Sequence, residues 1–218
     1  MELQTIYILL KKDFLLEWRS KASLGSLLVH TLSTIFFIYM IFSGEINFRT
    51  WLALFWVINL FSVIQITART FQKDANEHFY YLKQLASAHH IILSKIIYNT
   101  LFITMMSFIV FVFMQLFFSQ TINHLGIFSL TILLASFGFS ALFSLLSGIS
   151  AKTQNMVLLA VLGLPIVLPL ILIISKLSAL SDFYTTINDI YIFLSAALLL
   201  DITILILSII LFPYLWKD

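Results

Sequence analysis

Residues 190–211 read IYIFLSAALLLDITILILSIIL, a run whose one acidic or basic side chain is Asp201. A helix of that length rises roughly 33 Å at 1.5 Å per residue, enough to cross a hydrocarbon core of ~30 Å. Backbone N–H and C=O groups find no water in that core, so a helix is the form such a segment takes. Five more stretches of the same kind precede it, at 24–43, 50–68, 91–119, 125–147 and 156–175. The connections between them are too short for a separate soluble domain. The reading is an all-α membrane protein with a single domain over residues 1–218: an amphipathic segment at 1–23, then a six-helix bundle at 24–212 carrying a loop at 69–90.

Composition agrees, since 61% of residues are hydrophobic and 10% charged, against roughly 25% charged in soluble domains. The chain has no cysteine, which excludes disulfides and thiolate metal sites. Glu2, Lys11, Lys12, Asp13 and Glu17 interrupt the first twenty residues, so no secretory signal is expected and the first span should be retained. If both termini share a side, that side carries Lys11, Lys12, Arg19, Lys21, Arg69, Lys73, Lys83, Lys95, Lys152 and Lys217, and the other only Arg49 and Lys176. This bias predicts cytoplasmic termini and a cytoplasmic 69–90 loop in a multi-pass membrane protein. Nucleic acid is not an expected partner.

Ahead of the first span, Leu3, Ile6, Tyr7, Leu10, Phe14 and Trp18 recur at helical spacing, with Glu2, Gln4, Lys11, Lys12, Glu17 and Arg19 on the other faces. The pattern predicts an amphipathic helix lying in the membrane interface, as an anchor or as the elbow helix of an exporter subunit. The 69–90 loop mixes charge with aromatics. Arg69, Phe71, Asp74, Glu77, Phe79, Tyr80 and Tyr81 occur in a stretch without proline or glycine, which predicts a short helix. Aromatic anchors ringed by charge suit docking of a partner protein, because burial supplies energy and charge supplies register. The alternative is a set of rings that lie on the membrane or cap the bundle.

Hydrolytic chemistry is not apparent. None of the glycines Gly25, Gly44, Gly126, Gly138, Gly148 and Gly163 stands in a nucleotide-binding G-x-x-x-x-G-K-[ST] loop, so ATP-driven work would need a separate ATPase. Asp201 is the only carboxylate inside a span, without a paired aspartate, and no H-E-x-x-H zinc motif occurs.

Three features inside the spans stand out. Ser136, Ser140, Ser144 and Gly148 recur every four residues in the fourth span, a small-residue stripe that lets helix backbones approach closely. Gly163, Pro165 and Pro169 gather in the fifth, where each proline removes a backbone donor and tends to kink or break the helix. Asp201 lies mid-span, where a charge facing lipid costs roughly 2.5 to 3.5 kcal/mol. It should therefore face protein, either protonated and hydrogen-bonded to a group such as Asn59, Gln65 or a fourth-span serine, or paired with a neighbouring subunit.

With these residues in view, the chain resembles the haem exporter protein B family (CcmB), membrane subunits of an ABC-type complex in bacterial cytochrome c maturation. The resemblance covers nearly the whole chain. It rests on a length near 220 residues, six spans, the amphipathic start, the Arg69-x-Phe71-x-x-Asp74 core leading to Lys95, and Leu164-Pro165-x-x-x-Pro169-Leu170. Where the family commonly shows an acidic-Gly-x-Leu-Glu run, this chain has Glu77-His78-Phe79-Tyr80-Tyr81, and Ala86-Ser87-Ala88-His89-His90 replaces the usual proline-rich stretch.

The resemblance implies an ABC-2-like permease bundle that works with a cytoplasmic ABC ATPase, a haem-handling membrane subunit and a periplasmic haem chaperone. ATP would act through the partner subunit, and haem would be handled by the complex. His78, His89 and His90 fall on the cytoplasmic side, His30 inside the first span and His124 near the outer surface. A neutral imidazole can ligate iron, yet a lone outer histidine reads as an interfacial polar residue. No cofactor or metal is therefore assigned to this chain. The other readings are an exporter permease for a lipid, glycan or drug, and a membrane scaffold without coupled motion.

Overall fold

The computed structural model describes residues 2–19, 21–77, 86–153, 155, 157–182 and 187–216. These form seven helices: α1 (Glu2–Arg19), α2 (Lys21–Phe42), α3 (Phe48–Glu77), α4 (Ala88–Phe118), α5 (Leu125–Lys152), α6 (Val157–Ala179) and α7 (Ile187–Trp216). The last six are each long and apolar enough to cross a membrane. Six spans make this a multi-pass membrane protein.

The turn between α2 and α3 takes two successive left-handed residues, Ser43 at φ 50° and Gly44 at φ 80°. Glycine fits the second position because a Cβ there would meet the Tyr39 ring at 3.0 Å. Asn47 then caps α3, its side-chain oxygen accepting the Thr50 N–H at 2.7 Å. Asn155 does the same for α6, accepting from the Val157 N–H at 3.1 Å.

Helix α5 is the centre of the bundle. It packs on α3, α4, α6 and α7, and every residue from Gly138 to Gly148 is buried, the signature of a helix enclosed on all sides. The outermost helices show the opposite pattern. Val29, Phe37 and Met40 on α2, Leu168 and Leu172 on α6, and Leu199 and Ile206 on α7 are exposed. Such a surface would be an aggregation hazard in water; here it is the lipid-facing belt.

Two sequence expectations are corrected. Residues 69–77 are not a separate short helix but the end of α3, which runs unbroken for 30 residues, roughly 45 Å at 1.5 Å per residue. The absence of glycine and proline, which argued for a helix in the loop, equally lets the span carry on past the hydrocarbon. Likewise, α6 is not broken at Gly163, Pro165 and Pro169, because the helix is continuous through all three. Pro165 and Pro169 are exposed, and they stand one turn apart on the outer side, so the bonds they remove are lost from the lipid face. Gly163 points inward, where a Cβ would meet the Phe143 ring at 2.5 Å; its role is close approach of α6 to α5.

Helix α1 follows the amphipathic expectation in part. Tyr7 and Phe14 are exposed, while Leu9 and Asp13 face the bundle. The side chains of Leu3 and Trp18 lie outside the described residues.

Candidate functional site

At the end where α3 finishes and α4 begins, five helices meet around a buried lysine. Lys95 and Asp13 keep only 4% and 7% of their side-chain surface, and Lys95 Nζ sits 2.9 Å from Asp13 Oδ2 and donates to Asp13 Oδ1 at 2.9 Å. Lys95 also donates to the Thr70 carbonyl at 3.3 Å and stands 5.6 Å over the Phe71 ring. A buried charge is tolerable only when paired and hydrogen-bonded. Lys95 gains an anion, a carbonyl dipole and an aromatic face.

The polar contacts continue inward. The Thr70 hydroxyl donates to Asn99 Oδ1 at 2.9 Å, and Asn99 Nδ2 donates to Ser144 Oγ at 2.8 Å. Beside this chain, Ser140 donates to the Ile96 carbonyl at 2.6 Å and Ser147 to the Thr67 carbonyl at 2.7 Å. The small-residue stripe thus touches two neighbours. Ser140 and Ser144 meet α4, Gly148 makes room for Phe212 of α7, whose ring a Cβ would approach to 2.8 Å, and Ser136 bonds back to its own helix at Ile132 O, 2.7 Å. Phe212 in turn lies 5.6 Å from Phe71. Displacement of the α3 end therefore bears on α1, α4, α5 and α7 through named contacts.

The anticipated docking residues separate into three groups. Phe71 is 3% exposed, packed between Lys95 and Phe212, so it is a core residue and offers no surface anchor. Arg69 is partly exposed and donates to Ser26 Oγ at 3.4 Å. Asp74 and Glu77 belong to α3 with their side chains outside the described residues, and Phe79, Tyr80 and Tyr81 lie outside them altogether.

Asp201 does face protein, at 1% exposure, but not the partner expected. Asn59 donates instead to the Phe55 carbonyl at 2.8 Å, and neither Asp201 oxygen has a hydrogen-bond partner among the described residues. Its carboxyl group lies against Gly138, where a Cβ would collide with it. His30 and His124 are both exposed; no group of three or more metal-binding side chains occurs among the described residues.

Sequence reasoning missed Asp13 and Asn99. The signal was present as an acidic residue in the amphipathic first helix and a lysine a turn inside an apolar run, but pairing them required the fold.

Six spans, one of them a buried central helix, with α1 tied to the bundle by an ion pair, define a membrane permease component. The ABC-2 type transporter family model matches residues 4–175, from α1 through most of α6, and the chain belongs to that family. Membership of that family implies an ABC ATPase partner. No curated protein matches the chain.

Proposed function

We propose that this chain is the membrane subunit of an ATP-driven complex of cytochrome c maturation, coupling its ATPase to haem delivery or to release of a haem-loaded periplasmic chaperone. The observation that carries the reading is the meeting of Phe71 and Lys95, two residues of the haem exporter protein B resemblance, in one buried contact with α1. Thr70, between Arg69 and Phe71, supplies the carbonyl that Lys95 also uses. The motif is thus a structural unit at the place where α3 emerges from the bundle.

In this reading both termini and the 69–90 segment face the cytoplasm of a bacterial inner membrane, by the basic-residue bias. The ATPase docks on the α3 extension, with Arg69, Asp74 and Glu77 fixing register and Phe79, Tyr80 and Tyr81 supplying the anchors. Phe71 transmits rather than docks. Movement of the α3 end is passed to α1 and α4 by Lys95 and to α7 by Phe212. Haem-handling membrane and periplasmic proteins are the further partners, and haem is held by them.

Affinity purification of the tagged chain from its own membranes tests this directly. An ATPase together with haem-handling proteins, and loss of c-type cytochromes on deletion, are the expected results. An ATPase without haem proteins, with normal cytochromes in the deletion, would instead make the chain the permease of a different exporter.

A further inference from the structure

Among the described side chains of α7, four are buried: Ala197, Asp201, Ser208 and Phe212. They recur at one-turn and two-turn spacing on one face of the helix, and Leu199, Ile202, Ile206 and Leu207 between them are exposed. Helix α7 is thus held by a narrow seam, whose seat is mainly α5. The Asp201 carboxyl lies against Gly138, Ser208 Oγ donates to the Ala141 carbonyl at 2.9 Å, and Phe212 rests at Gly148. Leu170 of α6 reaches the same spot as Asp201.

One member of this seam does not suit it. A leucine at 201 would leave no polar atom unsatisfied, whereas both Asp201 oxygens are buried without a hydrogen-bond partner among the described residues. The charged and titratable groups of the helices packed on α7 are engaged elsewhere. Lys152, at the far end of α5, donates to the Leu215 carbonyl at 3.2 Å, and Lys176 of α6 stands 5.7 Å over the Phe193 ring. On α4, Lys95 is held by Asp13, His90 meets Ser87, His89 is exposed and Tyr98 lines the notch beside Asp13. On α7 itself, Asp189, Tyr191 and Tyr214 are exposed. At 1% exposure Asp201 is also out of reach of a neighbouring subunit. A carboxylate in this seat would be a buried charge with neither counter-ion nor donor, a state that proteins avoid by keeping the group neutral. An ionisable residue kept inside a span marks a functional position.

We infer that Asp201 holds a proton while α7 is packed on α5, and that parting of the two helices at Gly138 hands this proton to water, so that opening of the seam is proton-linked. The carboxyl O–H bond breaks, the proton passes to an entering water, and the carboxylate left behind is solvated. In water a carboxyl gives up its proton at about pH 4. At neutral pH the packed seam therefore holds one proton more than the open one. Acid favours packing, alkali favours opening, and the packed-to-open ratio changes by up to about tenfold per pH unit. This goes beyond the proposed role in cytochrome maturation and does not depend on it.

The test is made on the full chain in lipid nanodiscs. The infrared difference spectrum of wild type against Asp201→Asn at neutral pH should contain the C=O stretch of one protonated carboxylic acid, shifted by exchange into D2O. Because the chain has no cysteine, Leu133→Cys on α5 and Leu199→Cys on α7, both exposed, take one spin label each. Between about pH 6 and about pH 9 the population at the longer inter-label distance should rise, by up to about tenfold per unit. Asp201→Asn, uncharged throughout, should keep the shorter distance at every pH. Circular dichroism and gel filtration establish that each variant is folded, and the pH series of the labelled wild type stands without the asparagine variant. A carboxylate band in place of the acid, inter-label distances in wild type that ignore pH, or the same pH response in folded Asp201→Asn overturns the inference.

Discussion

The two ends of the bundle are held together by different physics. Where α3 begins, Trp51 stacks on Phe55 at 5.6 Å, Phe55 meets Phe128 at 5.2 Å, and Phe111 meets Phe128 at 5.1 Å. A buried hydroxyl at that end serves a ring, Trp56 Nε1 donating to Ser178 Oγ at 3.0 Å. Where α3 finishes, the joints are an ion pair and a hydrogen-bonded chain from Asp13 through Lys95 and Thr70 to Asn99 and Ser144. Ring packing is the sum of many weak contacts in a close-packed interior. A charge pair in a low-dielectric setting is made or lost as a unit. On the proposed docking of the ATPase at the end of α3, the polar end is the one that responds and the aromatic end the one that stays packed.

The largest effect should come from Phe55→Ala, which empties a buried ring site and is expected to cost about 4 kcal/mol. Thermal unfolding in detergent should show it, while the folded fraction still copurifies with its ATPase. If ATPase capture were lost in the folded fraction, the division between the two ends would fail.

Lys95→Met comes next. It leaves Asp13 with only the partly exposed Lys12, 3.5 Å away, at about 3 kcal/mol, and should loosen α1, visible as new protease cleavage between α1 and α2. Adding Asp13→Leu should recover most of the melting temperature without recovering function. Recovery of both would reduce the pair to a stabilising contact.

Gly148→Ala should cost about 2 kcal/mol by pushing Phe212 off its seat, and a smaller aromatic-site change, Phe212→Leu, should partly relieve it. Ser144→Ala removes the acceptor of Asn99 and should cost about 1 kcal/mol. Smallest in stability is the Pro165→Leu, Pro169→Leu pair, expected to unfold no earlier than wild type because α6 is already continuous. Coupling is measured in that variant by ATPase rate and, on the proposed function, c-type cytochrome content. A loss there with normal assembly would mean that the outer-face prolines serve motion.

How far the fold was legible follows from the length scale of each signal. Six apolar runs are local properties, and hydrocarbon leaves helices as their only solution, so the spans were read to within a few residues except where α3 carries on to Glu77. Water begins beyond the lipid, and there both a helix and a loop can satisfy the backbone. The candidate site was half legible. Arg69, Phe71 and Lys95 were singled out, but Phe71 was read as a surface ring because its charged neighbours suggested water, and the ring turns inward instead.

The sequence by itself determined the class of molecule, the number of spans and the need for Asp201 to face protein, since each follows from what hydrocarbon forbids. Only the tertiary structure decided which polar groups meet. Asp13 and Lys95 are 82 positions apart, and nothing local distinguishes a lysine destined for a carboxylate from one destined for water. Asp201 makes the same point in reverse: its burial was predictable from cost, while its seat against Gly138 depends on how α7 is rotated on α5, which packing alone sets.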